Sequence, residues 1–261
     1  MKPRITIITV CYNSEKYIEQ AILSVINQTY DNLEYIIVDG GSQDSTMSIV
    51  NRYRDKISVI ISEKDNGISD AFNKGIRRAT GDIIGIVNSD DMLYNNNVIE
   101  KLAEYYEDDI DVYRGKEIVK NFDSGYEYVL SPSLVFKKNP ITFHVCHMAT
   151  YIRKDAFERF GLYDETFRYA MDMELLYRFN YKGAKTKGVN LVIGTFRIGG
   201  VSQTYNKAKR TECEKIITTT GGSYMDAMIY RYSLIAKDMV RKFLNLFGVD
   251  LASRIRYGRR K

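Results

Sequence analysis

Apolar residues in the first hundred positions fall into two alternating kinds of run. Arg4–Val10 (RITIITV) is short, β-branched and unbroken, the pattern of a strand buried on both faces. Glu15–Gln28 instead places Ile18, Ile22, Val25 and Ile26 on one helical face, with Asn13-Ser14 ahead of it as a cap. Glu34–Asp39 (EYIIVD) predicts a second buried strand that stops at Gly40-Gly41. Asp44-Ser45-Thr46 opens a helix to about Arg54, and Ile57–Ser62 predicts a third strand. A helix over Ile68–Arg78 and a fourth strand over Asp82–Asn88 (DIIGIVN) follow. Strands separated by single helices imply right-handed crossovers, hence a mainly parallel sheet covered on both faces, an α/β fold. Beyond Asn97 the spacing predicts helices over Val98–Tyr106, Lys154–Phe160 and Met171–Tyr181, with strands over Val112–Val119, Tyr126–Leu130 and Val189–Phe196.

Ligands in open sheets of this kind sit at the carboxyl ends of the strands. Three of the first four strands end in polar clusters: Cys11-Tyr12-Asn13, Asp39-Gly40-Gly41-Ser42 and Asn88-Ser89-Asp90-Asp91. Neither G-x-x-x-x-G-K-[ST] nor G-x-G-x-x-G is present, so this rim is neither a P-loop nor a dinucleotide site. Adjacent Asp90 and Asp91 suit a hard divalent cation that also binds phosphate; a solvated loop with a capping acid is the structural alternative. Asp39 stands beside two glycines, which let a ligand approach the backbone, and can accept from a base N–H or a sugar hydroxyl. Asp-Gly is equally a common turn pair. Glu63-Lys64-Asp65-Asn66-Gly67, with Asp70, Asn73 and Lys74 after it, reads as more of the rim or as a turn and helix cap. Within Met171–Tyr181, Asp172 shares a face with Leu175, Leu176 and Phe179, while Glu174 and Arg178 can pair on another. An inward Asp172 is a candidate general base, or an N-cap.

Composition narrows the classes. With 261 residues, 44% hydrophobic and 27% charged, the chain is an ordinary globular protein. Its charge of +5 is concentrated at one end: residues 223–261 hold nine Lys and Arg against three Asp, leaving 29 against 30 in residues 1–222. A neutral body argues against nucleic acid as a partner. Cys11, Cys146 and Cys213 are odd in number and far apart, which argues against a disulfide framework and for a reducing compartment. With two histidines and no H-E-x-x-H or paired C-x-x-C, His144-Val145-Cys146-His147 reads as a buried loop or strand rather than a zinc site. No apolar run reaches the ~20 residues of a membrane span, and Met1-Lys2-Pro3-Arg4 leads into a strand rather than a signal peptide. The expected location is the cytoplasm or the cytoplasmic face of a membrane.

Four segments in order carry a family resemblance: ITVCYNSEKYIEQAILSVINQTY, EYIIVDGGSQDST, EKDNGISDAFNKGIRRATGDIIGIVNSDD and HMATYIRKDAFERFGLYDETFRYAMDMELLYR. Over residues 4–202 the chain resembles glycosyltransferase family 2, nucleotide-sugar transferases of GT-A fold. That resemblance implies that Asp39 contacts the nucleotide base, usually uracil, and that Cys11, Tyr12, Asn13 and Glu15 surround the nucleoside. It implies that Asp65, Asn66, Gly67 and Asn73 line the donor side, that Asp90 faces ribose or metal, and that Asp91 ligates Mn2+ or Mg2+. Asp172 matches the base that deprotonates the acceptor hydroxyl, giving an inverted glycoside. Position 88 is Asn where many relatives have Asp, and position 171 is Met where many have Glu. The implied partners are a nucleotide-sugar donor, usually of UDP, and a saccharide or lipid-linked acceptor of bacterial surface polysaccharide. His144, His147 and Ser202, the last in a Gly199-Gly200-Val201-Ser202 loop, are candidate acceptor or phosphate contacts.

Residues 1–222 are thus expected to form the catalytic domain, with a nucleotide-sugar half to about residue 100 and an acceptor half beyond. Residues 223–261 form a basic amphipathic helical extension that either packs on protein, including a second subunit, or rests on anionic lipid. Two rivals remain at this level: a nucleotidyltransferase, and a non-catalytic nucleotide-binding scaffold.

Overall fold

The computed structural model describes residues 2–137, 143–198 and 207–246. Four strands, β1 (Ile5–Cys11), β2 (Leu33–Asp39), β3 (Val59–Ser62) and β4 (Ile83–Ile86), run parallel in the order β3-β2-β1-β4. Their period of two sorts the side chains onto the two faces. Ile8, Val10, Ile36 and Val38 enter one core, and Ile5, Ile7, Tyr35 and Ile37 enter the other. Helices α1 (Ile18–Ile26), α2 (Thr46–Asn51) and α4 (Val98–Ala103) cover the second face through Ile22, Val50 and Leu102; α3 (Ile68–Arg78) covers the first through Phe72 and Ile76. Each fully buried Ile or Phe here contributes about 1.5–3 kcal/mol of transfer free energy. Gly75 lets α3 lie directly on the sheet, since a Cβ there would meet Ile8 Cγ2 at 2.6 Å.

The helices over 68–78, 154–160 (α5) and 171–181 (α6) have the expected bounds. Helix α1 starts three residues later than Glu15, because Asn13 takes φ 48° and the Ser14 carbonyl accepts from both Tyr17 and Ile18, closing a turn first. Past β4 the sheet is mixed. Strand β8 (Thr150–Arg153) joins β4 antiparallel, and β6 (Val112–Lys120) pairs with β8, β7 (Glu127–Leu130) and β9 (Thr186–Arg197); the two-residue β5 (Met92–Leu93) pairs with β9. Strand β6 bulges between Arg114 and Glu117, and both of these charged side chains are buried. Helices α7 (Lys207–Thr219) and α8 (Tyr224–Leu246) close the described chain; α8 docks through Ala227 and Tyr230 and the Arg231–Glu214 ion pair, 2.5 Å. All three cysteines are free and buried, and no helix among the described residues is long and apolar enough to cross a membrane.

Candidate active site

The ends of β1, β2 and β3 are in register, with Cys11 opposite Asp39 and Asp39 opposite Ser62. Asp39 is fully buried, and its carboxylate accepts from the Gly41 and Ser42 amides and from the Ser42 and Ser62 hydroxyls. It therefore shapes the 40–42 loop as well as standing on the rim. Asn13 ties that loop to the first, its Oδ1 accepting from the Gln43 amide at 2.9 Å, while Tyr12 stands 61% exposed beside it. Glu15 is exposed and accepts from the Ser45 amide, so it anchors the start of α2. Asp65 accepts from the Gly67 amide, and Gly67 has φ 123°, a conformation open to glycine. Asn66 donates its amide to Asp70. Asn73 departs from the expected donor contact. It is 1% exposed, and its amide is spent on the Tyr163 backbone and Glu165, making it a strut between α3 and residues 163–165.

The loop after β4 gathers the acids. Asp91 is 1% exposed, and its Oδ1 accepts the Arg197 amide at 2.8 Å while the Arg197 Nε donates to the Asp90 carbonyl. The Arg197 guanidinium lies 4.3 Å from the Tyr17 ring centre and 3.8 Å from that of Phe122, a cation held by aromatic faces beside the acid pair. Burial, then the neighbouring Asp90, pushes the Asp91 carboxyl up to about 8. Among the described residues no ion pair reaches Asp91, and Arg197 acts on it through its backbone amide. Asn88 donates to Asp91, and among the described residues its buried Oδ1 has no partner. Among the described residues no three His, Cys, Asp or Glu side chains could hold an ion by themselves. Two carboxylates and an unpartnered amide oxygen are nevertheless the hard donors that suit Mg2+ or Mn2+ when phosphate completes the shell.

Asp172 is the second residue of α6, one turn before Leu175 and Leu176 and two before Phe179, which are each at most 2% exposed. It is not the cap: Ala170 holds that position, and the amides of residues 168–170 are taken up by Glu212 from α7. The Glu174–Arg178 pair forms at 2.7 Å. The Asp172 side chain is 24% exposed, and its Oδ1 lies 3.0 Å from His147 Nδ1. Burial works against a proton on His147, yet Asp172 first, then Asp91 and Glu117, leave its affinity raised. One imidazole therefore feels both the candidate base and the acid pair. Burial pushes Glu117 up to about 7 and lowers Arg114 to about 10. Burial, then the nearby Asp172 carboxylate, holds the Tyr163 phenol well above the usual range.

His144 and His147 do not form a common site. The chain at 144–147 is a turn with Cys146 at φ 48°, leaving His144 exposed and His147 turned inward. Ser202 and the rest of the 199–202 loop lie outside the described residues. Sequence reasoning missed Arg114, Glu117, Tyr163 and Arg197. β6 (VYRGKEIVK) carries four charged residues, so its pattern does not single out Arg114 and Glu117 as the buried ones.

A parallel half-sheet with an acidic rim, joined to a mixed half that presents a carboxylate beside that rim, defines a GT-A-like architecture. The chain belongs to glycosyl transferase family 2, whose model matches residues 6–161. An uncharacterized glycosyltransferase of Rickettsia typhi is 32% identical over 188 residues, 68% of this chain; the match spans 58% of that relative's length. S. aureus TarS, solved as residues 1–349 in complex with UDP, superposes with a TM-score of 0.65 at 16% identity, covering 96% of this chain and 77% of that one. The mannosyltransferase PcManGT of Pyrobaculum calidifontis, in complex with GDP-Man and Mn2+, gives 0.59 at 20% identity, covering 83% and 62%. At these identities the two structures establish the fold alone.

Proposed function

We propose that the chain is an inverting, metal-dependent glycosyltransferase. It moves a hexosyl or N-acetylhexosaminyl group from a nucleotide-sugar, a UDP-sugar first, to a hydroxyl of a saccharide or lipid-linked acceptor in bacterial surface-polysaccharide synthesis. The observation that carries this reading is the 3.0 Å contact of Asp172 with His147, whose ring also feels the Asp91 carboxyl. A base and a cation-seeking acid pair then stand on one rim, as sugar transfer requires. UDP in one structural neighbour and GDP-Man with Mn2+ in another support the donor class.

Asp91, with help from Asp90, would hold Mn2+ or Mg2+, which when bound neutralises charge on the departing nucleoside diphosphate. The first-strand loop and Asp39 loop flank the nucleoside, and Asp65 to Gly67 line the donor sugar. Asp172 takes the proton of the acceptor hydroxyl as that oxygen bonds to the anomeric carbon. The bond from that carbon to the diphosphate oxygen breaks on the opposite side, so configuration inverts. Arg197, fixed beside the acids by Tyr17 and Phe122, adds positive potential there.

A panel of UDP-, GDP- and TDP-sugars tests the reading, first by thermal shift with and without Mn2+, then by nucleotide release. One donor should stabilise the protein only with metal and release nucleotide in a manner EDTA abolishes. Binding without release from any donor would favour a non-catalytic nucleotide-binding subunit. Release of pyrophosphate from a nucleoside triphosphate would favour a nucleotidyltransferase.

A further inference from the structure

His147 is set more firmly than a core histidine needs. Its ring stacks on Phe72 of α3, 5.4 Å between centres at 22°. The segment that delivers it is fixed from below by Arg114, whose buried guanidinium donates to the carbonyls of Ser133, His144 and Val145. Its Nδ1 faces Asp172 Oδ1 at 3.0 Å as a charge contact, and among the described residues that buried oxygen accepts no hydrogen bond. Its buried Nε2 has no partner among the described residues either. With Oδ1 turned to the imidazole, Oδ2 is the oxygen left to meet an acceptor hydroxyl.

We propose that His147 is the positioning residue for Asp172: its Nδ1–H holds one carboxylate oxygen so that the other is aimed at the acceptor. The inference rests on the reading of Asp172 as the base. The tautomer with its proton on Nδ1 is the one that can donate to the Asp172 oxygen 3.0 Å away. Phe72 fixes the plane of the ring and Arg114 its height above the sheet. Asp172 is thereby oriented by a group on a different element, the arrangement by which a third residue orients a catalytic pair.

The test uses the full-length protein, Mn2+ and the donor from the panel that gives most nucleotide release. His147→Ala is expected to lower kcat about 10- to 100-fold with the donor KM within about twofold, since an unoriented base slows only the proton-transfer step. His147→Asn, whose side-chain amide can replace Nδ1–H, should recover most of that loss, and His147→Gln, whose amide sits nearer the Nε2 position, should not. A fall in thermal stability that all three variants share, with kcat following it, would assign His147 a merely structural role. Retention of more than half of kcat in folded H147A, or no difference between H147N and H147Q, would overturn the proposal. If H147A does not fold, the Asn–Gln comparison decides. Asp172→Asn is measured alongside. An active D172N removes the base reading and this inference with it, whereas an inactive D172N beside a normal H147A removes the inference alone. With two histidines in the chain, the ring spectrum also reports without turnover. A downfield Nδ1 proton on His147 should be present in the wild type and lost in D172N, and its absence from the wild type would refute the contact.

Discussion

Glu117 offers a measurement of the buried acid cluster that needs no substrate. It is 5% exposed at the bulge of β6, its Oε2 has no partner, and burial raises its carboxyl from 4.5 to about 7. The folded chain therefore holds this proton more tightly than the unfolded chain does. The stability it contributes is complete below about pH 4.5 and is lost as pH rises through about 7. At ~1.4 kcal/mol for each tenfold change in proton affinity, the loss between pH 5 and pH 8 is about 2–3 kcal/mol. Glu117→Gln keeps the shape and the acceptor while removing the titration, so this part of the slope should vanish. Urea unfolding at several pH values, wild type against E117Q, is the assay. The difference between the two should widen in favour of E117Q by about 2 kcal/mol from pH 5 to pH 8. Asp91, raised in the same direction, acts in both proteins and cancels. Parallel stability curves would refute the placement of Glu117 as a buried, uncompensated acid.

Helix propensity alone says Gly75→Ala should stabilise α3 by up to ~1 kcal/mol. The 2.6 Å approach to Ile8 says instead that it destabilises, by about 1–3 kcal/mol, which thermal or urea unfolding will read directly. Helix α8 turns Met225, Ile229, Tyr232, Met239 and Phe243 outward, each more than half exposed. Deleting residues 223–261 should abolish flotation with anionic liposomes if this face meets lipid. Should the deletion leave flotation unchanged but convert a dimer to a monomer by light scattering, the face meets a second copy.

What could be read in advance divides at about residue 100. In the parallel half, strands and helices are each specified by their own period, so β1, β2 and α3 and the acidic loops at their ends follow from local pattern. Asp39, Asp65 and Asp90-Asp91 come together because crossover rules place successive strand ends on one edge. In the other half, contacts join residues far apart. Arg197 meets Asp91 across 106 positions, and nothing near either residue encodes that. Strand β8 has only Tyr151 and Ile152 as apolar positions, too few for a periodicity, and exists because β4 and β6 each offer it an edge. Helix α7 is polar over its first half, and its apolar core contacts are Cys213, Ile216 and Ile217. His147 was visible as a histidine; its partner was not, because the i,i+4 logic that finds Glu174–Arg178 does not reach across elements.

Proton transfer by Asp172 beside a metal-dependent nucleotide-sugar site is the step on which the proposed reaction depends. Its most direct test is nucleotide release by wild type and Asp172→Asn with the preferred donor, Mn2+ and acceptor, together with nucleotide affinity by calorimetry. A fall in kcat of at least ~100-fold is expected, with nucleotide affinity within about twofold. Near-normal turnover in D172N would contradict it.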